Sequence, residues 1–576
     1  MKRYTRALIL CTICCLMTIS CKKDIESFLD KAPGVDLDEH VIFSSKVQLE
    51  TFIVGTYRIG MHTILPTEGL TPSRNFTINS AATDEGNADA TFVHTESWNA
   101  GTIDNIGTGQ EDHRFSTRWI ALRYAYIILE RIKEVPGLDD AYRNQVIGEM
   151  KFMVAHNYFE MLKRYGGVPI IDKRLQLGEE FKIPRNSFQE TVDYILKNST
   201  EAVALLPATY TSNFRGRVTK TAAQMLKART LLYAASPLYN AAQPVLSMAN
   251  PADNKLICYG NADNNRWQLA ADAAKEAIDM AAAGNFSLIT NKGVDKNYKF
   301  VWEQNDNTEI ILAGKFWGAR SRTQFPWYGT QPAVMVGGSW AGVSVIHNFI
   351  RKYEKKDGTQ QTWDPAGGND LNQKYAQLDN RFAQTVGYNG SYWNKDIPIL
   401  ATNTGGAQAA ACAGGAWMKK LIPDILSTSA SATPNDILFR LAEAYLNYAE
   451  ALNEAQGPVA AAYDAANTIR ARSGQPNLPA GLTKDQFRTR IQNERDIELA
   501  FEDHRMWDIR RWKIAENEGV MKGAMFGIKI NKVGTTTEFS YLPYVFETRT
   551  FLPRMYYNPF TQNEVFKGYL VQNPGY

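Results

Sequence analysis

The segment Ile147–Ile171, IGEMKFMVAHNYFEMLKRYGGVPII, decides the fold class of this 576-residue chain. Its first part, up to Tyr165, predicts a long α-helix. Gly166-Gly167 and Pro169 follow directly, and glycine and proline at this point are a strong stop signal for a helix. The segment therefore predicts a helix with a defined end, and helical periodicity dominates most of the remaining chain.

Further helices are predicted along the chain, in residues 114–132, 187–206, 219–235, 267–283, 437–455, 459–472 and 483–501. Ser187 with Glu190 three residues later forms a capping box at the start of one of them, and Thr483 is a plausible N-cap of another. Gly457-Pro458 separates two helices by a tight turn. Paired helices of this kind predict a mostly α fold, a tetratricopeptide-like helical-hairpin solenoid or α-α superhelix.

Two stretches, residues 284–350 and 357–433, lack a sustained helical period and are rich in Gly, Asn, Thr and Ala. They predict long loops and a few short strands inserted into the helical scaffold, and loops of this length usually carry function. We therefore expect a single domain over residues 21–576. It has an N-terminal helical part (21–235), a loop-rich variable region (284–433) and a C-terminal helical part (434–576).

The first twenty residues predict a secretory signal peptide. Lys2, Arg3 and Arg6 precede the apolar run Ala7–Ile19, which is shorter than the ~20 residues of a membrane-spanning helix. Ser20 then precedes Cys21, an arrangement similar to a bacterial lipobox, so Cys21 is the predicted lipidation site. The net charge of +3 falls to neutral when those three cations leave, which gives no electrostatic reason to bind nucleic acid.

No catalytic or metal motif is present in the sequence. Beyond residue 21 only Cys258 and Cys412 remain, so we expect isolated thiols and neither a disulfide framework nor a zinc knuckle. Adjacent acids such as Asp84-Glu85 and Glu111-Asp112 are usually solvated, although glycoside hydrolysis also uses paired carboxylates. Neither an enzyme nor a cofactor is expected.

A group of charged residues near the C-terminus has helical spacing and two possible interpretations. It is either a charged functional site or a partly buried ion-pair network that holds helices together. We expect the network, formed by Glu494, Arg495, Glu498, Glu502 and Arg505.

Several ordered motifs together resemble the SusD/RagB family of outer-membrane lipoproteins. They are the opening segment Ile147–Ile171, GRVTK (216–220) with AAQMLKARTLLYAA, YEKKDG (353–358), DNRF (379–382), FRLAEAYLNYAEALNEA (439–455), ANTIRARSG (466–474), ERDIELAFEDHRMWDIRRW (494–512) and the terminal QNPGY (572–576). The resemblance implies a lipid-anchored, surface-exposed outer-membrane protein that captures oligosaccharides or polysaccharides. It also implies that the protein lies as a lid on a partner SusC-like TonB-dependent transporter.

The resemblance also directs attention to a loop in the first hundred residues and to the central variable region. Aromatic faces and planar polar side chains suit sugars, so the predicted ligand contacts are Trp98, Asn99, Trp317, Arg320, Trp327, Tyr328 and Trp340. Second choices are Trp363, Tyr392 and Trp393. For each residue the alternative is local packing; Trp119, Trp302, Trp507 and Trp512 are expected in the core.

Three alternative functions remain open at this stage. A RagB-like lid would bind peptides, a surface glycoside hydrolase would cleave the sugar, and a purely structural helical-repeat scaffold would ignore both. A carboxylate pair across the substrate would favour the hydrolase.

Overall fold

A computed structural model describes residues 39–61, 64–65, 77–106, 114–176, 178–211, 214, 216–315, 318–337, 342–534 and 538–576. The predicted signal peptide and Cys21 lie outside these ranges. Contacts divide the described residues into two compact units, those within 39–55 and 131–139, and those within 56–130 and 140–576. In the described part of the smaller unit, Arg131 pairs with Glu39 at 2.9 Å and with Glu134 at 2.6 Å.

Helices account for most of the regular structure, as predicted. The described α-helices are α1 (Glu39–Ile42), α2 (Lys46–Gly60), α3 (His94–Asn99), α4 (Phe115–Arg131), α5 (Asp140–Tyr165), α6 (Phe188–Leu205), α7 (Lys220–Ala235), α8 (Asn265–Ala283), α9 (Asn297–Glu303), α10 (His347–Ile350), α11 (Leu371–Gln377), α12 (Asn380–Thr385), α13 (Leu441–Gln456), α14 (Ala460–Arg472), α15 (Lys484–Glu498), α16 (Arg505–Arg511) and α17 (Gln562–Val565). Within the described ranges, no helix has both the length and the apolarity to cross a membrane.

Local signals place the helix ends. Ser187 accepts a hydrogen bond from the Glu190 N–H while Glu190 accepts from the Ser187 N–H, so the predicted capping box is confirmed. Thr483 caps α15 in the same way. Two starts differ from the prediction: α5 begins at Asp140 because a polar first turn precedes the apolar face, and α13 begins at Leu441 because residues 435–440 form a strand.

The described strands form three small sheets. They are β1 (Gly86–Ala88), β2 (Ile310–Lys315), β3 (Val343–Val345), β4 (Val386–Tyr388), β5 (Ala416–Met418), β6 (Asn435–Arg440), β7 (Gly523–Lys532) and β8 (Phe539–Arg549). One sheet has the order β1-β3-β5-β4, and the others are the pairs β2-β6 and β7-β8, all antiparallel. The hairpin β7–β8 has the longest strands, within a region that the sequence predicted as helical.

The scaffold core lies between helices that stack in chain order. Helix α5 packs on α6, α6 on α7, α7 on α8, α8 on α13, and α13 on both α14 and α15. Buried residues from five of these helices meet in one apolar cluster, among them Leu232, Trp267, Leu446, Ile469 and Phe487. This sequential stacking agrees with the predicted helical-hairpin solenoid.

A second apolar cluster fills the loop-rich region around the four-stranded sheet. It contains Trp327, Trp393 and Trp417 together with residues of β7 and β8. The hairpin therefore belongs to the core of the variable region. Three of the four tryptophans expected in the core are buried, namely Trp302, Trp507 and Trp512, while Trp119 is half-buried.

The predicted ion-pair network is confirmed, and it is buried. Arg440 pairs with Glu498 at 2.6 Å and with Glu502 at 2.7 Å, and Arg381 bridges Glu494 and Glu498. Burial alone raises the pKa of Glu498, but the guanidinium groups around it lower that pKa well below its ordinary value. The acids therefore stay ionised and tie β6, α12 and α15 together.

Candidate functional site

The loop of residues 318–337 carries Arg320, Trp327 and Tyr328, and it is anchored at Ala432. The Arg320 N–H donates to the Ala432 carbonyl at 2.8 Å, and the Ala432 N–H donates back at 3.1 Å. The indole Nε1 of Trp327 donates to the same Ala432 oxygen at 3.1 Å. Trp327 is 1% exposed, so it holds the loop from inside, while Arg320 and Tyr328 remain partly exposed.

The guanidinium group of Arg320 is a candidate ligand donor. It forms no hydrogen bond or ion pair with any residue that the structure describes, and its Nε is enclosed. A buried N–H group without an acceptor is energetically costly. A ligand hydroxyl or carbonyl oxygen at this position would supply the missing acceptor.

Aromatic and charged side chains flank Arg320. The rings of Phe325 and Tyr328 lie 5.6 Å apart at an angle of 60°, and Arg322 Nη1 donates to the Met335 carbonyl at 3.1 Å. Arg322 also acts electrostatically on exposed Asp396. We call Arg320, Arg322, Phe325, Tyr328 and Asp396 the arginine–tyrosine surface.

Asp396 is the acidic member of this surface. Its Oδ2 accepts the Thr428 N–H at 2.6 Å and its Oδ1 accepts the Thr428 hydroxyl at 3.0 Å. The Thr428 N–H first, and then the nearby Lys395 and Arg322, lower the pKa of Asp396. The carboxylate is therefore ionised and oriented at neutral pH, and it can accept hydrogen bonds from a hydroxylated ligand.

Trp98 and Asn99 are both buried on α3. The Trp98 ring has the Arg510 guanidinium 5.2 Å from its centroid. Asn99 Nδ2 donates to the Ala81 carbonyl and to Asn87 Oδ1, each at 3.3 Å. In this structure both side chains are engaged in local packing, so their contact with ligand stays a prediction.

The remaining predicted contacts are distributed differently. Trp317 and Trp340 lie outside the described residues. Trp363 is half-buried, with its ring 4.8 Å from that of His347, and Trp393 is 1% exposed beneath the Lys419 ammonium. Tyr392, at 51% exposed, is the second-choice residue with the most accessible ring.

The segment before Trp98 contacts the loop that carries Arg320. Asp89 Oδ2 accepts the Ala333 N–H at 2.9 Å, and the Asp89 N–H donates to the Gly342 carbonyl at 2.9 Å. Burial raises the pKa of Asp89 to about 6, against the lowering effect of these N–H groups. The two predicted ligand-binding regions are thus joined. Within the described part of the chain, however, Trp98 forms no hydrogen bond or ring contact with a residue of the arginine–tyrosine surface.

The adjacent acids Asp84 and Glu85 are not arranged as a catalytic pair. Both are buried; Asp84 is bound by Arg505 and Lys352, and Glu85 accepts the Phe501 N–H at 3.0 Å. Burial, and then the nearby Asp496, raise the pKa of Glu85 to about 8. Glu111-Asp112 lie outside the described residues.

Among the residues that the structure describes, no three His, Cys, Asp or Glu side chains form a metal-binding group, and Cys258 and Cys412 are unpaired.

Sequence reasoning missed Arg322, Phe325 and Asp396. The Arg320-x-Arg322 spacing and the aromatic pair Phe325 and Tyr328 were available as signals. The position of Asp396 was not, because only the fold brings its turn beside the loop.

These features define a helical-hairpin scaffold that displays a loop-built surface of arginine, aromatic and acidic side chains. The model of the SusD family matches residues 308–576, and a model described as starch-binding associating with outer membrane matches residues 27–232. The chain belongs to the SusD/RagB family.

Individual relatives agree with this assignment. A SusD-like protein of Formosa agariphila is 23% identical over 68% of this chain and 68% of its own length. A solved SusD-like protein of Bacteroides fragilis is 24% identical, with a TM-score of 0.76 over 95% of this chain and 100% of that one. A laminarin-binding SusD-like protein is 19% identical, with a TM-score of 0.58 over 93% and 100%. The two structures establish likeness of fold.

Proposed function

We propose that this protein binds oligosaccharide or polysaccharide nutrients at the cell surface and delivers them to a SusC-like TonB-dependent outer-membrane transporter. The observation that carries the proposal is the pair of SusD-family matches, one of them described as starch-binding and associated with the outer membrane. The laminarin-binding relative supports a sugar ligand over a peptide.

The arginine–tyrosine surface has the chemistry for this role. The Arg320 guanidinium presents N–H donors that have no acceptor among the residues that the structure describes. The Asp396 carboxylate presents oxygen acceptors. A partly exposed tyrosine ring can cover the apolar face of a sugar ring. Capture by these groups needs no bond cleavage, and we propose that the protein acts without catalysis.

Isothermal titration of the purified chain with maltooligosaccharides, laminarin oligosaccharides and a peptide library tests the ligand class. Arg320→Ala should weaken sugar binding by about tenfold through the loss of a charge-assisted hydrogen bond. Arg143→Ala, at a surface arginine of α5 paired with Asp140, serves as the control. Absence of sugar binding at millimolar ligand would sink the proposal, binding of peptides alone would favour the RagB-like alternative, and sugar turnover would favour the hydrolase.

Membrane attachment is proposed to occur through a lipid on Cys21. A multiply acylated cysteine would hold the protein stably at the outer membrane, whereas a single chain holds only weakly. Cys21→Ala should move the protein from the membrane fraction to the soluble fraction. Retention of this variant in the membrane would contradict the anchor, and failure of the native protein to copurify with a TonB-dependent barrel would contradict the transporter partnership.

A further inference from the structure

A cavity of about 330 Å³ lies between α11, the turn end of hairpin β7–β8 and the turn after β4. Carboxamide side chains and apolar groups dominate its lining, chiefly Asn369, Asn372, Gln373, Asn389, Ile530 and Phe539. We call it the amide cavity. Its volume is at the lower end of the range for small-molecule sites, ~300–1,000 Å³, so it suits a mono- or disaccharide-sized ligand.

Asn389 presents a fixed and uncommitted donor group. The residue is 2% exposed, and its Oδ1 accepts the N–H groups of Thr402 at 3.0 Å and Asn403 at 3.1 Å. These two bonds fix the planar carboxamide, and its Nδ2 has no acceptor among the described residues. Asn389 lines the cavity, so a ligand oxygen bound there can supply the acceptor for Nδ2.

The other carboxamides on the rim are also uncommitted. The side chains of Asn369, Asn372 and Gln373 form no hydrogen bond within the described part of the chain, and all three are exposed. Asn372 Nδ2 comes within 3.7 Å of the point where a Cβ on Gly390 would lie, which places it beside the turn that carries Asn389. A carboxamide both donates and accepts hydrogen bonds, as a hydroxyl group does.

The cavity floor is apolar. Leu371 and Ile530 are buried, and half-buried Phe539 packs against the core cluster of the variable region. A pyranose ring has the matching character, because its hydroxyl groups surround carbon–hydrogen faces that pack on apolar and aromatic groups. The combination of an apolar floor and an amide rim therefore selects a polyhydroxylated ligand.

The charges of the lining exclude an anionic ligand. No lysine, arginine or histidine is among the lining residues, whereas Asp370 and Glu538 are. Asp370 is paired with Lys374 at 3.2 Å, which reduces its availability for a metal ion. An acidic sugar would meet like charge here, and a neutral sugar would not.

One loop connects the amide cavity with the arginine–tyrosine surface. Its base is closed by the Asn389–Thr402 contact and by the Gly390 N–H donating to the Leu400 carbonyl at 2.8 Å. Its tip is the bridge between Asn394 and Ile397, with Asp396 between them. The cavity is thus at one end of the loop and Asp396 at the other.

We propose that the amide cavity is a second binding site, specific for a neutral mono- or disaccharide unit. It does not depend on the arginine–tyrosine surface being the ligand site, so the two proposals fail separately. Its donors are Asn389, Asn369, Asn372 and Gln373, and its stacking surface is Phe539.

Saturation-transfer NMR and isothermal titration of the full chain test the site, with maltose, laminaribiose, cellobiose and digalacturonate as probes, all in EDTA. We expect at least one neutral disaccharide to bind and digalacturonate not to bind. Asn369→Ala/Asn372→Ala should weaken that binding by about tenfold, the loss expected for two hydrogen bonds. Asn265→Ala, at an exposed asparagine of α8, should leave it unchanged.

Asn389→Asp provides a second variant, because its carboxylate keeps the acceptors for Thr402 and Asn403 but loses the Nδ2 donors. It should also weaken disaccharide binding, with the fold checked by circular dichroism. Absence of binding by all three neutral disaccharides at millimolar concentration would overturn the proposal. The proposal would also be overturned if Asn369→Ala/Asn372→Ala left disaccharide binding intact, or if Arg320→Ala abolished it. Binding of digalacturonate as tight as that of the neutral disaccharides would overturn it as well.

Discussion

Asp84 and Arg505 form a two-point ion pair between residues 421 positions apart in the sequence. Arg505 Nε lies 2.8 Å from Asp84 Oδ1, and Nη2 lies 2.7 Å from Oδ2. Burial alone raises the pKa of Asp84, but Arg505 and Lys352 lower it well below its ordinary value. The pair joins the two chain regions that the two SusD-family models match separately.

Asp84→Asn should therefore destabilise the protein strongly. It leaves Asp496 as the one described carboxylate paired with both Arg505 and Lys352, and removing one partner of a buried ion pair costs ~3–5 kcal/mol. The free energy of unfolding, from denaturant titration, measures this loss. Asp279→Asn is the matched control, since its pair with Lys275 is exposed and such pairs contribute ~0–1 kcal/mol. Equal effects of the two substitutions would show that the Asp84–Arg505 pair does not hold the regions together.

Asp436 should make stability depend on pH. Burial, and to a smaller extent Asp503, raise its pKa from 3.8 to about 7, while the N–H groups of Ile64 and Leu65 and the charge of Arg114 lower it. A group with a raised folded-state pKa contributes stability that is complete below its unfolded-state pKa and is lost as the pH rises through the folded-state value. This contribution should disappear between about pH 4 and pH 7.

Asp436→Asn checks this expectation, because the carboxamide keeps an acceptor for the Ile64 and Leu65 N–H groups but does not titrate. As the pH rises from 4 to 7, the unfolding free energy of the variant should increase relative to that of the native chain. Asp357→Asn, at an exposed aspartate, controls for general charge effects. A difference that is constant with pH would contradict the assignment.

The sequence predicted the helical scaffold well because helix signals are local. The Ser187–Glu190 capping box and the stop at Gly166-Gly167 involve residues within one turn of each other. The hairpin β7–β8 was missed because its sequence gives no such signal. FSYLPYVFETR, residues 539–549, has only Tyr541 and Arg549 buried along β8, so the strand lacks a regular apolar alternation.

The candidate site was predictable only in part. Tryptophan suits both a sugar platform and a core, and composition does not distinguish the two roles. Trp98 and Trp327 proved to be buried, whereas the neighbouring Arg320 faces partly outward. The free Nδ2 donor of Asn389 could not be predicted from the sequence, because it depends on the fold. Only the fold brings the backbone N–H groups of Thr402 and Asn403 to its Oδ1.

Trp327→Phe should weaken ligand binding indirectly. It removes the indole donor to Ala432 and leaves a small void, at a total cost of ~1–3 kcal/mol. The loop that carries Arg320 then loses its internal anchor, so sugar affinity at the arginine–tyrosine surface should fall. Trp417→Phe is the control, because Trp417 is equally buried and its Nε1 donates to the Gln408 carbonyl at 2.9 Å. We expect the two variants to lose similar amounts of stability, and only Trp327→Phe to lose sugar affinity. A loss of sugar affinity in both variants would count against a positioning role for Trp327.

Gly367→Ala should detach hairpin β7–β8 from the wall of the amide cavity. Gly367 has φ +81°, and an added Cβ would lie 1.9 Å from the Tyr541 carbonyl oxygen. At the same point Gly368 and Tyr541 exchange backbone hydrogen bonds of 3.0 and 2.7 Å. The left-handed conformation alone costs a non-glycine residue ~1–3 kcal/mol, and the clash adds to that cost by forcing the two segments apart.

Gly457→Ala isolates the conformational part of this effect, since Gly457 has φ +87° and open space around its Cβ position. Thermal unfolding should show a larger loss for Gly367→Ala than for Gly457→Ala. Neutral disaccharide binding should be lost only in Gly367→Ala, because Asn369 and Phe539 lie on the two segments that the clash separates. Equal thermal shifts in the two variants would mean that the Gly367 segment moves freely and that its contact with Tyr541 does not shape the cavity.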